Sequence, residues 1–107
     1  CKPELRNQTI ETAGILNKAG VPMCICTDHP VVPEQYLPLS AGLAVRGGLD
    51  RNEALKAITI YPAQITGIAD RVGSIEVGKD ADIVIFSGDP LSVCDTPDMV
   101  IVNGTVI

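Results

Sequence analysis

Tryptophan is absent from this sequence, and with one Phe and two Tyr the aromatic residues make up 3% of the chain. Base-stacking platforms need aromatic faces interleaved with basic residues, and neither is present in number. Basic residues are scarce as well: 8 Lys and Arg stand against 13 Asp and Glu, a net charge of −5. That balance disfavours the phosphate backbone and anionic membrane surfaces, so nucleic acid and membrane are not expected partners. No apolar run approaches the ~20 residues of a membrane helix. The four cysteines, Cys1, Cys24, Cys26 and Cys94, form no CxxC pair and no disulfide framework, which points to a reducing, cytoplasmic compartment. One histidine, His29, is too few for a zinc site that draws on several His or Cys ligands. The sequence begins with Cys1 rather than Met, and its first residues are not expected to form a secretory leader.

What is present is aliphatic. Hydrophobic residues make up 46% of the 107, mostly Ala, Val, Ile and Leu, so a core must come from aliphatic helices and strands rather than aromatic anchors. Thr9 is a candidate cap for a helix carrying Ile10, Ala13 and Leu16 at helical spacing, stopped by Gly20. Residues 21–27 are then almost continuously apolar, and a run apolar on both faces predicts a buried strand of a parallel sheet. Residues 34–46 predict a helix, with Pro38 either opening or breaking it. Asp50 and Glu53 have the spacing of a capping box, with Leu49 placed to staple onto Ala54. Pro62 suits the first turn of a short helix ending at Gly67. After a boundary near residues 67–73 the texture becomes β-rich: residues 81–86 are strand-like, and Asn103-Gly104 between apolar runs predicts a hairpin with a type I′ turn. The expected division is 1–67, α/β, and 68–107, all-β. One parallel strand without neighbours and a few β-segments without a facing sheet read as part of something larger.

The chemistry concentrates in Cys26-Thr27-Asp28-His29-Pro30, at the carboxyl end of the expected strand. Ligands of parallel α/β folds bind beyond the carboxyl ends of strands. Alternation puts Cys24, Cys26 and Asp28 on one face. If that face points into a barrel, the cysteines pack inside it beneath a carboxylate at the mouth. Such a carboxylate can bind a metal and take a proton from water; the plainer reading is a turn cap. His29 points the other way and is more ordinarily a loop hydrogen-bonder than a ligand. Cys24 and Cys26 read better as core thiols than as a metal pair. Residues 73–78 have two glycines before Lys79 but not the spacing of a phosphate loop. Asp80, Asp82 and Asp89 fit turn and strand-end roles.

Residues 73–86, Gly-Ser-Ile-Glu-Val-Gly-Lys-Asp-Ala-Asp-Ile-Val-Ile-Phe, closely resemble the C-terminal stretch of the amidohydrolase superfamily. Residues 53–59 with Pro62-Ala63, and Gly88-Asp89-Pro90-Leu91, fit the same pattern, and Ala19-Gly20-Val21 leading to Thr27-Asp28 is similar to the approach to its last barrel strand. Among the subgroups the sequence resembles the imidazolonepropionase-like enzymes. The resemblance implies an α/β fold: the last part of a (β/α)₈ barrel, with trailing helices, plus C-terminal strands of a small β-sandwich. It implies a metal-dependent hydrolase acting on C–N bonds of non-peptide amides, cyclic amides or amino-acid derivatives. Asp28 then matches the last-strand aspartate that ligates the metal, deprotonates the attacking water and protonates the leaving nitrogen. His29 extends the match as a candidate substrate-binding residue. Zinc or another divalent ion is the implied cofactor and a small molecule the implied partner. The family's His-x-His pair and middle-strand ligands have no counterpart, so these 107 residues are expected to be a C-terminal fragment, inactive alone and without tight metal binding. The competing readings are a non-catalytic α/β module that binds a partner or forms homo-oligomers, and a deaminase of the same superfamily.

Overall fold

The computed structural model describes residues 2–107, the side chain of Glu4 excepted; Cys1, counted above, lies outside the described residues. A 3₁₀ turn at Pro3–Leu5 leads to α1 (Thr12–Lys18). Thr9 stands before the helix rather than on it. Its hydroxyl accepts the Glu11 N–H at 3.3 Å, but Glu11 takes the N-cap position and the helix starts two residues later than a Thr9 cap would give.

The exit of α1 is set by Gly20, whose φ of +72° is free of Cβ conflict only in glycine. The Gly20 N–H reaches the Asn17 carbonyl and the Val21 N–H the Leu16 carbonyl, each at 3.0 Å, the two bonds of a Schellman motif. Gly48 closes α2 (Leu37–Arg46) in the same way, with Leu49 N–H bonded to Ala44 O at 3.0 Å. Pro38 lies in the first turn of α2, where its missing N–H costs no helical bond; a 3₁₀ turn, Glu34–Tyr36, precedes it. Asp50 caps α3 (Arg51–Ala57), accepting the N–H groups of Asn52 and Glu53 at 2.8 and 3.1 Å. Only half of the expected capping box forms, because the Glu53 carboxylate is engaged elsewhere. Helix α4 (Ile60–Ile65) completes the helical part.

The core is small-residue packing. Ala41, Ala44, Leu49, Ala54 and Leu91 form one buried cluster, with Ala13, Met23, Ile25, Val45, Leu55 and Ile58 against it. Leu91 reaches this cluster from the β-rich part of the chain. A Cβ on Gly42 would lie 2.5 Å from the Leu91 carbonyl oxygen, so the absent side chain is what lets the two segments touch.

Strands β1 (Ile83–Ile85), β2 (Met99–Val102) and β3 (Thr105–Val106) form an antiparallel sheet in the order β1-β2-β3. Val84 pairs with Val100 and Val102 with Thr105. Asn103 and Gly104 have φ of +49° and +77°, the doubly left-handed turn anticipated from their sequence. Residues 21–27, expected as a parallel strand, have no strand partner among the described residues, and one side of the segment is open. Among the described residues the sheet is antiparallel throughout, and the molecule is a small combination of helices and strands.

Candidate active site

Residues 21–27 run from the Schellman exit of α1 toward Asp28 and are tied to α3 by one bond, Ile25 N–H to Ala57 O at 2.9 Å. Side chains alternate along this path. Met23, Ile25 and Thr27 are half-buried, with Met23 and Ile25 on the core cluster, whereas Cys24, Cys26 and Asp28 are exposed. The alternation expected from sequence therefore holds, with both cysteines on the face that carries Asp28. The expectation that Cys24 and Cys26 are buried core thiols is overturned: both are exposed free thiols, because nothing among the described residues covers their face. Cys94 is likewise exposed and free.

Asp28 ends the segment with φ of +53°, a left-handed backbone that a side-chain-bearing residue enters at a cost. Its carbonyl accepts the Val31 N–H at 2.8 Å, and Thr27 O accepts from Val32 at 3.2 Å, so residues 28–31 form a tight turn. The turn throws the Asp28 carboxylate and the His29 ring outward, both exposed. Neither lines the cleft of about 500 Å³ beside Val21–Met23 or the cleft of about 890 Å³ between α2, α3 and β1.

A second constellation was not anticipated. Glu53 accepts from Tyr61 Oη at 2.6 Å, Lys56 Nζ at 2.9 Å and Asn17 Nδ2 at 3.1 Å, tying α1, α3 and α4 together. These donors, Tyr61 foremost, hold its carboxyl down at about 2. The same bond raises Tyr61, and the carboxylate beside it raises Lys56. Glu53 and Lys56 are one helical turn apart, a legible pair; nothing in sequence announces Asn17 as the third donor. In the Gly-rich stretch, Ser74 and Glu76 hold Lys79, whose side chain is 12% exposed. The lysine is thus already engaged by a hydroxyl and a carboxylate. Asp89 accepts the Leu91 N–H and Asp82 the Asn103 N–H, each at 2.8 Å, the turn and strand-end roles their positions suggested; Asp80 instead pairs with Arg71 at 2.6 Å, and Asp89 also pairs with Arg51.

The sequence profile of the amidohydrolase family matches residues 3–107. The chain belongs to the amidohydrolase family. It is 35% identical over 104 residues to "Amidohydrolase tasK" of Hapsidospora irregularis, covering 97% of this chain and 11% of that protein. It is 37% identical over 83 residues to an imidazolonepropionase of Thermoplasma acidophilum, covering 76% of this chain and 20% of that one. The crystal structure of an amidohydrolase from Thermotoga maritima superposes with a TM-score of 0.93 at 40% identity, over 99% of this chain and 28% of that structure. The chain thus spans a minor part of each protein it matches.

Amidohydrolases usually use a divalent metal ion. Among the described residues no three His, Cys, Asp or Glu side chains gather as a ligand set. Asp28 offers one carboxylate, and a single carboxylate does not hold such an ion. The donors among the described residues therefore do not by themselves fit a metal site.

Proposed function

We propose that this chain is part of a hydrolase that cleaves C–N bonds in small molecules, of the cyclic-amide or amino-acid-derivative class, with Asp28 as its acid–base carboxylate. The observation that carries the reading is the exposed Asp28, in a left-handed turn at the end of residues 21–27, within a chain 37% identical to an imidazolonepropionase over its matched part. In this reading residues 21–27 are the last strand of a (β/α)₈ barrel and 68–107 contribute strands to a small β-sandwich. The alternation along 21–27 supports it: one face rests on the helices and the other is left open, toward where a barrel interior would lie. Asp28 accepts a proton from the water whose oxygen bonds to the carbonyl carbon and delivers it to the departing nitrogen, so the C–N bond breaks to give a carboxylate and an amine, held in one ring-opened product where the amide is cyclic. Other segments complete any metal set, and the 107 residues alone are inactive. His29, adjacent and exposed, is placed to contact substrate.

The test is a chimera in which this chain replaces the matching 28% of the Thermotoga maritima protein. The chimera should hydrolyse a cyclic amide, and Asp28→Asn should lower kcat at least about 100-fold, in the range of lost general acid–base catalysis. A folded chimera indifferent to Asp28→Asn overturns the role given to Asp28.

A further inference from the structure

The two residues at the tip of the β2–β3 hairpin carry a reactivity separate from the proposed active site. Both Asn103 and Gly104 are exposed, and both have positive φ. A backbone amide nitrogen following asparagine can attack the asparagine side-chain carbonyl carbon, and a glycine at that position puts no Cβ in the way. Two bonds oppose the attack in the folded hairpin. The Gly104 N–H, which belongs to the attacking nitrogen, donates to Ala81 O at 3.0 Å. The Asn103 N–H donates to Asp82 Oδ1 at 2.8 Å. Both acceptors lie just ahead of β1, so the turn is clasped by the neighbouring strand and not only by its own hairpin.

We propose that Asn103 is a site of spontaneous deamidation, gated by release of the hairpin tip from Ala81 and Asp82. The Gly104 nitrogen loses its proton to solvent base and bonds to Asn103 Cγ; the Cγ–Nδ2 bond breaks and ammonia leaves. Water then opens the five-membered imide at either carbonyl, giving aspartate or isoaspartate at position 103. Either product adds a negative charge beside Asp82. Isoaspartate also lengthens the backbone by a methylene inside the turn, against the Val102–Thr105 pairing that fixes the register of β3. The modification is thus one-way and loosens the clasp that delayed it.

Peptide mapping of the full 107-residue chain, held in mildly alkaline buffer with and without denaturing urea, tests the proposal. The expected result is a gain of roughly one dalton at Asn103, split between two isomeric products, at least about ten-fold slower in buffer than in urea. Asp82→Ala, confirmed folded by circular dichroism, should move the buffer rate toward the urea rate, and Asn103→Asp should show no gain. Equal rates with and without urea overturn the gating, as does a folded Asp82→Ala with an unchanged rate. If Asp82→Ala does not fold, a urea series on the parent chain decides. A rate that climbs ahead of global unfolding supports local release, and one that climbs only with global unfolding overturns it.

Discussion

At the scale of single residues, Asp28 combines an exposed carboxylate with a φ of +53°. A left-handed backbone costs a Cβ-bearing residue about 1–2 kcal/mol, with aspartate among the more tolerant. If the residue is retained for its chemistry, its replacement by glycine should relieve that conformation while ending its role. Asp28→Gly is therefore expected to be more stable than Asp28→Ala by about 1 kcal/mol in urea denaturation. In the chimera both should be as inactive as Asp28→Asn. The position of this aspartate beyond an apolar run, and the side of the run it shares with Cys24 and Cys26, were legible because alternation is a property of consecutive residues. The exposure of the two thiols was not, since burial depends on what lies opposite, and no local pattern encodes that.

At the scale of elements, helices α1, α3 and α4 meet at one carboxylate. Glu53 normally titrates near 4.5 and is held at about 2 in the folded chain. A carboxyl lowered on folding contributes stability fully above its unfolded value, and that contribution fades as pH falls from about 4.5 toward 2. Glu53→Gln is expected to flatten the dependence of Tm on pH across that acid window and to leave the slope at neutral pH unchanged. Thermal melts at stepped pH read this directly. The same elements show which signals were local. Pro38 at the start of α2, the Asp50 cap of α3 and the Asn103-Gly104 turn each depend on a few adjacent residues, and all three form as their sequences suggest. The strand expected at 21–27 depends on pairing with other segments, and among the described residues it finds none. Glu53 suggested a capping box by spacing alone, yet Tyr61 and Asn17, brought in by the packing of α4 and α1, compete successfully for its oxygens.

At the scale of the whole molecule, the radius of gyration is 14.7 Å, above the ~13 Å of a compact chain of about 100 residues. Leu91 is the buried side chain that joins the β-rich part to the helical core. Leu91→Ala should cost about 2–3 kcal/mol in urea denaturation, the lower part of the range for a buried leucine in a partly open site. The outer edge of β1 is unpaired, and Val84 and Ile85 along it are exposed. Such an edge is a template for another strand. Sedimentation should therefore show concentration-dependent association of the chain, weakened by Val84→Lys. The alanine-built core has a further, calorimetric consequence. Heat capacity rises on unfolding because apolar surface becomes hydrated, by ~12–15 cal/mol/K per residue in ordinary domains. Here the hydration is largely in place before unfolding begins, since many of the large aliphatic side chains, from Ile15 to Val106, already meet water. The chain should show a smaller heat-capacity step per residue and a correspondingly flat stability curve, with cold offering it little relief and warming doing it little early harm.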